Sequence, residues 1–405
     1  MSKNKISIAY VGVSGFPYGF AVIQHIRTVA KGLIGAGVPV TVICRKGILD
    51  PAGAIKFPSS GMFEGMRYVY TSFSIYRHPN FIKRNISKVI GLINEMRLLA
   101  KLAAHSETFA VVITSLEFLD VVYYWLLSKI FKFSIVMNYV EFNSSMPGRT
   151  GLKNRINDFL FDNYSFNFVD IVLPISEFLI ERVQKRVPHK PYIKLTPMSD
   201  FKRFTIPKKR VDCPYFALCA SANYLDVILF SIKSFELLTN HIGNVSLFLI
   251  VSGHQKTMDH LYREIAQFNC KENIKIFRNI SDEELNDIYI NAIGLLIPLR
   301  PSIVDTARFP YKIAEYAATG NPIITTNYGE VKNYFRDRKT AFIAEEYDPI
   351  KYSQKMECVI QHPDVASQVG SNAKTLALTE FNSDIFGIKL RDLVLDLNQS
   401  KQKVL

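Results

Sequence analysis

Residues 296–326, LIPLRPSIVDTARFPYKIAEYAATGNPIITT, hold the densest set of groups able to do chemistry. Pro310 suits a first helical turn, Gly320 a C-terminal cap, Pro322 blocks continuation, and 323–326 reads as a buried strand. A short helix beginning at about Phe309 is therefore expected. Its amides and the positive end of its dipole make a site for anionic oxygens, and Arg308 just before it and Lys312 in its first turn add charge. Glu315 stands three residues after Lys312 on the same side of the helix. The two are either a surface ion pair worth about 0.2–0.5 kcal/mol or parts of a ligand site, and the residue types alone leave both open.

A second place for a phosphate lies at residues 10–21, YVGVSGFPYGFA, where a strand end runs through Gly12, Gly15 and Gly19 into a helix. Such a junction lets backbone amides approach an anion at a helix N-terminus. The spacing is not Gly-x-Gly-x-x-Gly, and a glycine turn after a first strand serves any α/β protein equally well. His25, on the helix that follows, and Glu141, after a strand at 134–139, fall at edges expected to face a cleft between domains. Each is a candidate on the acceptor side of such a cleft, or a surface or capping group. No His, Asp or Glu cluster has metal-ligand spacing and no Asp-x-Asp occurs, so no divalent ion is expected.

These groups must be positioned by a scaffold, and the chain alternates short β-branched runs with helical patterns. In the first half the strands fall at 6–11, 38–44, 109–114, 134–139 and 171–174, with a helix at 21–36. In the second half they fall at 215–219, 245–252, 274–277, 294–298 and 322–326. Such alternation builds parallel sheets with helices on both faces. The expected fold is α/β, two facing Rossmann-like domains. Pro188, Pro191, Pro197, Pro207 and Pro214 mark a linker near 194–214. The domains are then 1–200, 201–380, and a C-terminal helix at 381–405 that caps the second domain or crosses back to the first.

With 405 residues, 48% of them apolar and 21% charged, the chain can bury two cores, and it carries a formal net charge of +13. An anionic partner is implied, though charge does not choose among nucleic acid, lipid and phosphorylated substrate. Arg77, Lys83, Arg84, Lys88, Arg97 and Lys101 lie on or before a helix pattern containing Ile82, Ile86, Val89, Ile90 and Ile93, and ten Lys or Arg fall within 182–210. A basic amphipathic helix suits an anionic membrane surface, or is a solvated face. The apolar stretch 116–140 is broken by Glu117, Asp120, Lys129 and Lys132, so no transmembrane helix is expected. Residues 1–8 do not read as a signal peptide, and Cys44, Cys213, Cys219, Cys270 and Cys358 have no paired framework. The expected location is the cytoplasm, including the inner face of the membrane.

The segment Glu315-Tyr316-Ala317-Ala318-Thr319-Gly320-Asn321-Pro322 resembles the donor-binding motif of the retaining GT-B glycosyltransferases grouped as family four. That motif runs Glu, seven residues, Glu, then Ala-x-Ala-x-Gly-x-Pro. Tyr316 replaces the first Ala, and Ala307 stands where the first Glu belongs, with Asp305 the nearest carboxylate. Residues 27–44, 169–183, 196–204 and 277–290 also resemble segments of that family. The resemblance implies that Glu315 accepts hydrogen bonds from the donor ribose and that the backbone around Phe309, Pro310, Tyr311 and Lys312 holds the diphosphate. It further implies that Asn279 and Ile280 meet the base.

Where the family presents cations after the first strand of its second domain, residues 219–226 read CASANYLD, so Arg300, Arg308 and Lys312 are left to supply charge. Asp305, Arg308 and Lys312 form the implied catalytic set. The implied activity is metal-independent transfer of a sugar, with retention, from a nucleoside diphosphate sugar to a glycan or lipid-linked acceptor. Surface polysaccharide or glycoconjugate synthesis is the implied setting, with no cofactor and no nucleic acid. The alternative is a non-catalytic GT-B subunit that stabilises or targets a partner transferase.

Overall fold

The computed structural model describes residues 4–19, 21–49, 56–146, 148–209 and 211–403. The start of the chain before Asn4, Phe20 in the glycine junction and Arg210 at the end of the basic stretch lie outside the described residues. The chain divides into two units, one running to Thr196 and including Ser383 onward, the other Pro197–Asn382.

Unit 1 is built in the order β1 (Asn4–Val11), α1 (Ala21–Gly35), β2 (Val40–Cys44), β3 (Ser60–Phe63), β4 (Met66–Tyr70), α2 (Phe81–Ala104), β5 (Ser106–Ile113), α3 (Phe118–Phe131), β6 (Ser134–Tyr139), α4 (Leu152–Tyr164), β7 (Ile171–Pro174) and α5 (Glu177–Arg186). Its seven strands lie in the order β3-β4-β2-β1-β5-β6-β7. All pair in parallel except β3, which runs against β4. The β3–β4 hairpin is absent from the sequence reading, because its two short strands at the sheet edge have no helix pattern between them. Central strands are near-continuous apolar runs, as sheets covered on both faces require: Ala9, Val11, Val42, Val111 and Val136 are fully buried.

Right-handed crossovers decide which helix covers which face. The chain steps one way across the sheet from β1 to β2 and the other way from β4 to β5, β6 and β7. Hence α1 covers one face and α2, α3 and α4 the other, with α3 packed between α2 and α4. The last helix, α14 (Ser383–Lys403), packs on α1. Glycines permit that crossing: a Cβ on Gly32 would sit 1.9 Å from the Ser383 carbonyl oxygen, and one on Gly387 2.3 Å from the Gly32 backbone.

Unit 2 follows as β8 (Tyr215–Ser221), α6 (Leu225–Thr239), β9 (Ser246–Ser252), α7 (Gln255–Ile265), β10 (Ile274–Phe277), α8 (Asp282–Asn291), β11 (Gly294–Ile297), α9 (Ile303–Ala307), α10 (Lys312–Thr319), β12 (Ile323–Thr326), α11 (Val331–Tyr334), β13 (Phe342–Ala344), α12 (Pro349–Gln361) and α13 (Pro363–Glu380). Its six strands lie in the order β10-β9-β8-β11-β12-β13, all parallel. Phe216, Leu218, Leu247, Leu249, Leu296 and Ile324 fill the core between sheet and helices.

No helix among the described residues is long and apolar enough to cross a membrane; the stretch 116–140 divides into α3 and β6. Several bases of the stretch 182–210 are paired within their own unit. Lys194 pairs with Glu177 in unit 1, whereas Arg203 pairs with Glu315 and Lys209 with Asp287 in unit 2.

Candidate functional site

In an open parallel sheet, ligands collect beyond the carboxyl ends of the strands. In unit 2 those ends bring together residues from the β8–α6, β11–α9 and α9–α10 connections. Ser302 starts α9, its Oγ accepting from the Asp305 N–H at 3.2 Å. The turn carries Asp305 inward to 1% exposure. Its Oδ2 accepts from the Arg300 N–H and Nε, both at 2.8 Å, and its Oδ1 from Arg300 Nη2 at 2.9 Å and Arg308 Nη2 at 2.5 Å. Close packing completes the fold here, since a Cβ on Gly329 would lie 2.5 Å from the Asp305 carbonyl oxygen.

A carboxylate has about four lone-pair positions, and all four of Asp305's are taken. Contact between Asp305 and a sugar hydroxyl, the role its place near the missing first Glu suggests, is therefore blocked. What the carboxylate does is hold two guanidinium groups. Burial alone would raise its pKa, but the Arg300 hydrogen bonds and the Arg308 charge hold it below the ordinary 3.8. Arg300 is in turn pushed up, first by its hydrogen bonds to Asp305.

Both arginines lean on Tyr224, in the turn before α6. Arg308 Nη1 donates to the Tyr224 hydroxyl at 2.7 Å with its guanidinium 4.7 Å from the ring centre, and Arg300 lies 5.6 Å from the same ring. Arg300 Nη1 also reaches Asp226 at 2.8 Å. The segment 219–226 thus carries no cation but receives two from across the sheet. Tyr224 and Asp226 are members that the sequence does not reveal; their signal is only an aromatic and an acid at positions 224 and 226.

The helix expected from Phe309 begins at Lys312. Pro310 precedes its cap residue Tyr311, and the first turn closes when the Ile313 N–H donates to the Pro310 carbonyl at 3.1 Å. The amide of Lys312 lies ahead of that closure. Phe309 is a core residue, stacked 5.1 Å from Tyr334 and edge-on to Phe381, so its side chain is not a ligand contact. Pro310, Tyr311 and Lys312 are half-buried. At the other end Gly320, at φ +78, makes the left-handed cap that lets the chain turn into β12.

Glu315 is 6% exposed, and its partner is not Lys312. Arg203, from the 3-10 turn Phe201–Phe204, donates through Nη1 to Glu315 Oε1 at 2.8 Å and through Nη2 to Asn286 Oδ1 on α8 at 2.9 Å. The surface-pair reading of Glu315 and Lys312 is thereby set aside. Burial would lower the Arg203 pKa, but the Glu315 charge and hydrogen bond outweigh it and raise it. The Tyr316 hydroxyl accepts from the Cys219 N–H at 3.1 Å, fastening α10 to the end of β8. Ala307 is a buried methyl at 1% exposure.

Asn279 is exposed and left-handed, φ +52, in the turn between β10 and α8, and Ile280 is half-buried beside it. Ser281 and Glu284 form a capping box that fixes this turn against the start of α8. Gly15, Gly19, His25 and Glu141 belong to unit 1. Gly15 has φ +87, and Phe16 is buried with its carbonyl accepting from Tyr70 Oη at 2.8 Å. His25 is buried, and burial pushes its imidazole down to about 4, so it is neutral at physiological pH. Glu141 is half-buried after β6. Among the described residues no three His, Cys, Asp or Glu side chains are grouped to hold a metal ion.

Residues 220–376 match the family model described as glycosyl transferases group 1. Among curated proteins nothing matches this chain. Among solved structures, a sucrose-phosphate synthase from Thermosynechococcus elongatus superposes with a TM-score of 0.75 at 15% identity, over 97% of this chain and 99% of that one. HepE from Anabaena, in complex with UDP and glucose, gives 0.68 at 11% identity over 97% and 99%. A glycosyltransferase from Rickettsia africae gives 0.68 at 14% identity over 97% and 98%. At these identities the likeness speaks for the fold, two Rossmann-like units of the GT-B kind. Residues 220–376 are thus similar to the group 1 glycosyl transferases, and the chain as a whole has the GT-B kind of fold.

Proposed function

We propose that unit 2 binds a nucleoside diphosphate sugar and that the chain transfers the sugar, with retention, to a hydroxyl of a glycan or lipid-linked acceptor. The observation that carries this reading is the pair of guanidinium groups, Arg300 and Arg308, locked by buried Asp305 at the carboxyl ends of β8 and β11. Fixed cations of this kind stabilise a leaving diphosphate without reorganising during reaction. Lys312 and the amide ahead of the first closed turn of α10 add to the same positive potential. Glu315, oriented by Arg203, accepts from the ribose, and the Asn279–Ile280 backbone meets the base. In this reading no divalent ion is needed, Arg308 and Lys312 act on the phosphates, and Asp305 positions Arg308. His25 and Glu141 stand on the acceptor side. HepE, of the same fold, was solved with UDP and glucose, which makes a uridine donor the first to try.

Thermal shift with UDP, GDP and ADP and their sugars tests the reading, because a ligand bound only by the folded state raises the melting temperature. A response to one base class, weakened in Arg308→Ala, supports it; silence across all of them sinks it. A second reading, a non-catalytic subunit, is favoured by Ala307, whose methyl offers a sugar no hydrogen bond. Donor binding without transfer or hydrolysis of the sugar would select it.

A further inference from the structure

We propose that the outer surface of α2, α3 and α4 on unit 1 is a docking surface for an anionic lipid bilayer. The inference does not depend on the glycosyl transfer reading. Along α2 the buried line is Gly91, Glu95 and Leu99, spaced by four. Directly opposite it runs Ile82, Ile86, Val89, Ile93 and Met96, facing outward, with Ile82 at 67% exposure. A solvated helix turns its apolar stripe inward, and this one carries a second stripe on the wrong side. On α3 the outward line is Leu119, Leu126 and Ile130, with Leu119 at 77%, and on α4 it is Leu152, Ile156 and Phe159, with Leu152 at 75%. Because α3 packs between α2 and α4 on one face of the sheet, the three lines share one surface. Exposed apolar area of this extent marks an interaction site.

The charges decide the occupant. Every acid on these helices is turned inward or paired. Glu95 is buried and Arg45 donates to it at 2.7 Å; Asp120 takes Arg45 at 3.0 Å and Ser115 at 2.6 Å; Asp158 takes Arg149 at 2.6 Å; buried Asp162 takes the Ser144 amide and hydroxyl. The bases point out: Lys83, Lys88, Arg97 and Lys101 on α2, Lys129 on α3, and Lys153 and Arg155 on α4 are exposed. Aromatics stand beside them, with Arg84 over Phe81 and Lys129 over Trp125. Long basic side chains flanking an apolar stripe reach to phosphates while their stems and the stripe enter the headgroup boundary. A second copy meeting this chain through the same face would set bases against bases. A nucleic acid would satisfy the bases but leave the aliphatic stripes against water.

Sedimentation with vesicles of phosphatidylcholine, alone or mixed with phosphatidylglycerol, tests the surface on the full chain. Binding is expected to the anionic vesicles at low salt and to fall as salt screens the charges. The variant Lys83→Gln, Lys88→Gln, Arg97→Gln should bind roughly a hundred-fold more weakly, since each base near the surface multiplies affinity several-fold. Ile86→Gln with Ile93→Gln should also release the protein while leaving its melting temperature unchanged, because both side chains already face out. Equal binding to neutral and anionic vesicles, or unchanged binding by either folded variant, overturns the proposal. So does a dimer in solution that Ile86→Gln with Ile93→Gln dissociates, or competition of the vesicles by duplex DNA with no loss in the apolar variant.

Discussion

Glu315 and Arg203 face each other across 112 positions of sequence, each of little meaning without the other. Glu315 is legible in the sequence because small residues, a glycine and a proline surround it at fixed spacing. Arg203 is not, since only the docking of its turn against α8 and α10 brings it near. The two respond differently to substitution. Glu315→Gln keeps an acceptor for Arg203 but loses the charge, and a charged hydrogen bond is worth about 1.5–3 kcal/mol, so donor affinity should fall roughly 10-fold to 100-fold with the fold intact. Titration calorimetry with the responsive nucleotide checks this, and unchanged affinity removes Glu315 from the ribose. Arg203→Met instead leaves a carboxylate nearly buried without its cation, so unit 2 should lose about 3–5 kcal/mol in denaturant unfolding. Asp305→Asn should weaken both nucleotide affinity and stability, because two half-buried arginines lose one shared anchor; loss of stability alone would mean that the guanidinium pair does not touch the diphosphate.

Helix and strand periodicity exposes most elements to sequence reading, because central strands buried on both faces are unbroken apolar runs. Boundaries are less visible. Pro310 suits a first turn, yet Phe309 is drawn into the ring cluster with Tyr334 and Phe381, and the helix starts only at Lys312. Small edge strands such as β3 escape for lack of length. Element packing leaves its own trace in glycines. Gly387→Leu should separate α14 from α1 and cost unit 1 about 3 kcal/mol or more, the upper end for overpacking, since its neighbour is the Gly32 backbone, which cannot rotate away. Gly37→Ala is the control: at φ +80 with nothing within 4 Å of the new methyl, it should cost only the backbone strain, about 1–2 kcal/mol. Equal melting temperatures for the two variants would mean that the crossing is not tight.

At the scale of the whole molecule, net charge is legible at once but its placement is not, because the inward turn of Glu95, Asp158 and Asp162 depends on partners outside their own helices, Arg45, Arg149 and Ser144. Stability against acid belongs to this scale too. His25 has its folded pKa pushed below 6.5 to about 4, so its contribution is fully present above pH 6.5 and is lost as pH falls from 6.5 towards 4. By linkage that amounts to about 3 kcal/mol. His25→Gln should flatten the stability profile in that window relative to the parent, and an unchanged slope in urea unfolding at pH 7 and pH 5 would refute it. The crossing of α14 onto α1 has a further consequence, for synthesis. Unit 1 is discontinuous, with Ser383–Lys403 translated only after all of unit 2. A ribosome therefore exposes a seven-stranded sheet whose α1 face lacks one helix for as long as unit 2 is being made. A released chain truncated before Ser383 should be cut by protease within unit 1 and the full chain should resist, while unit 2 is protected in both.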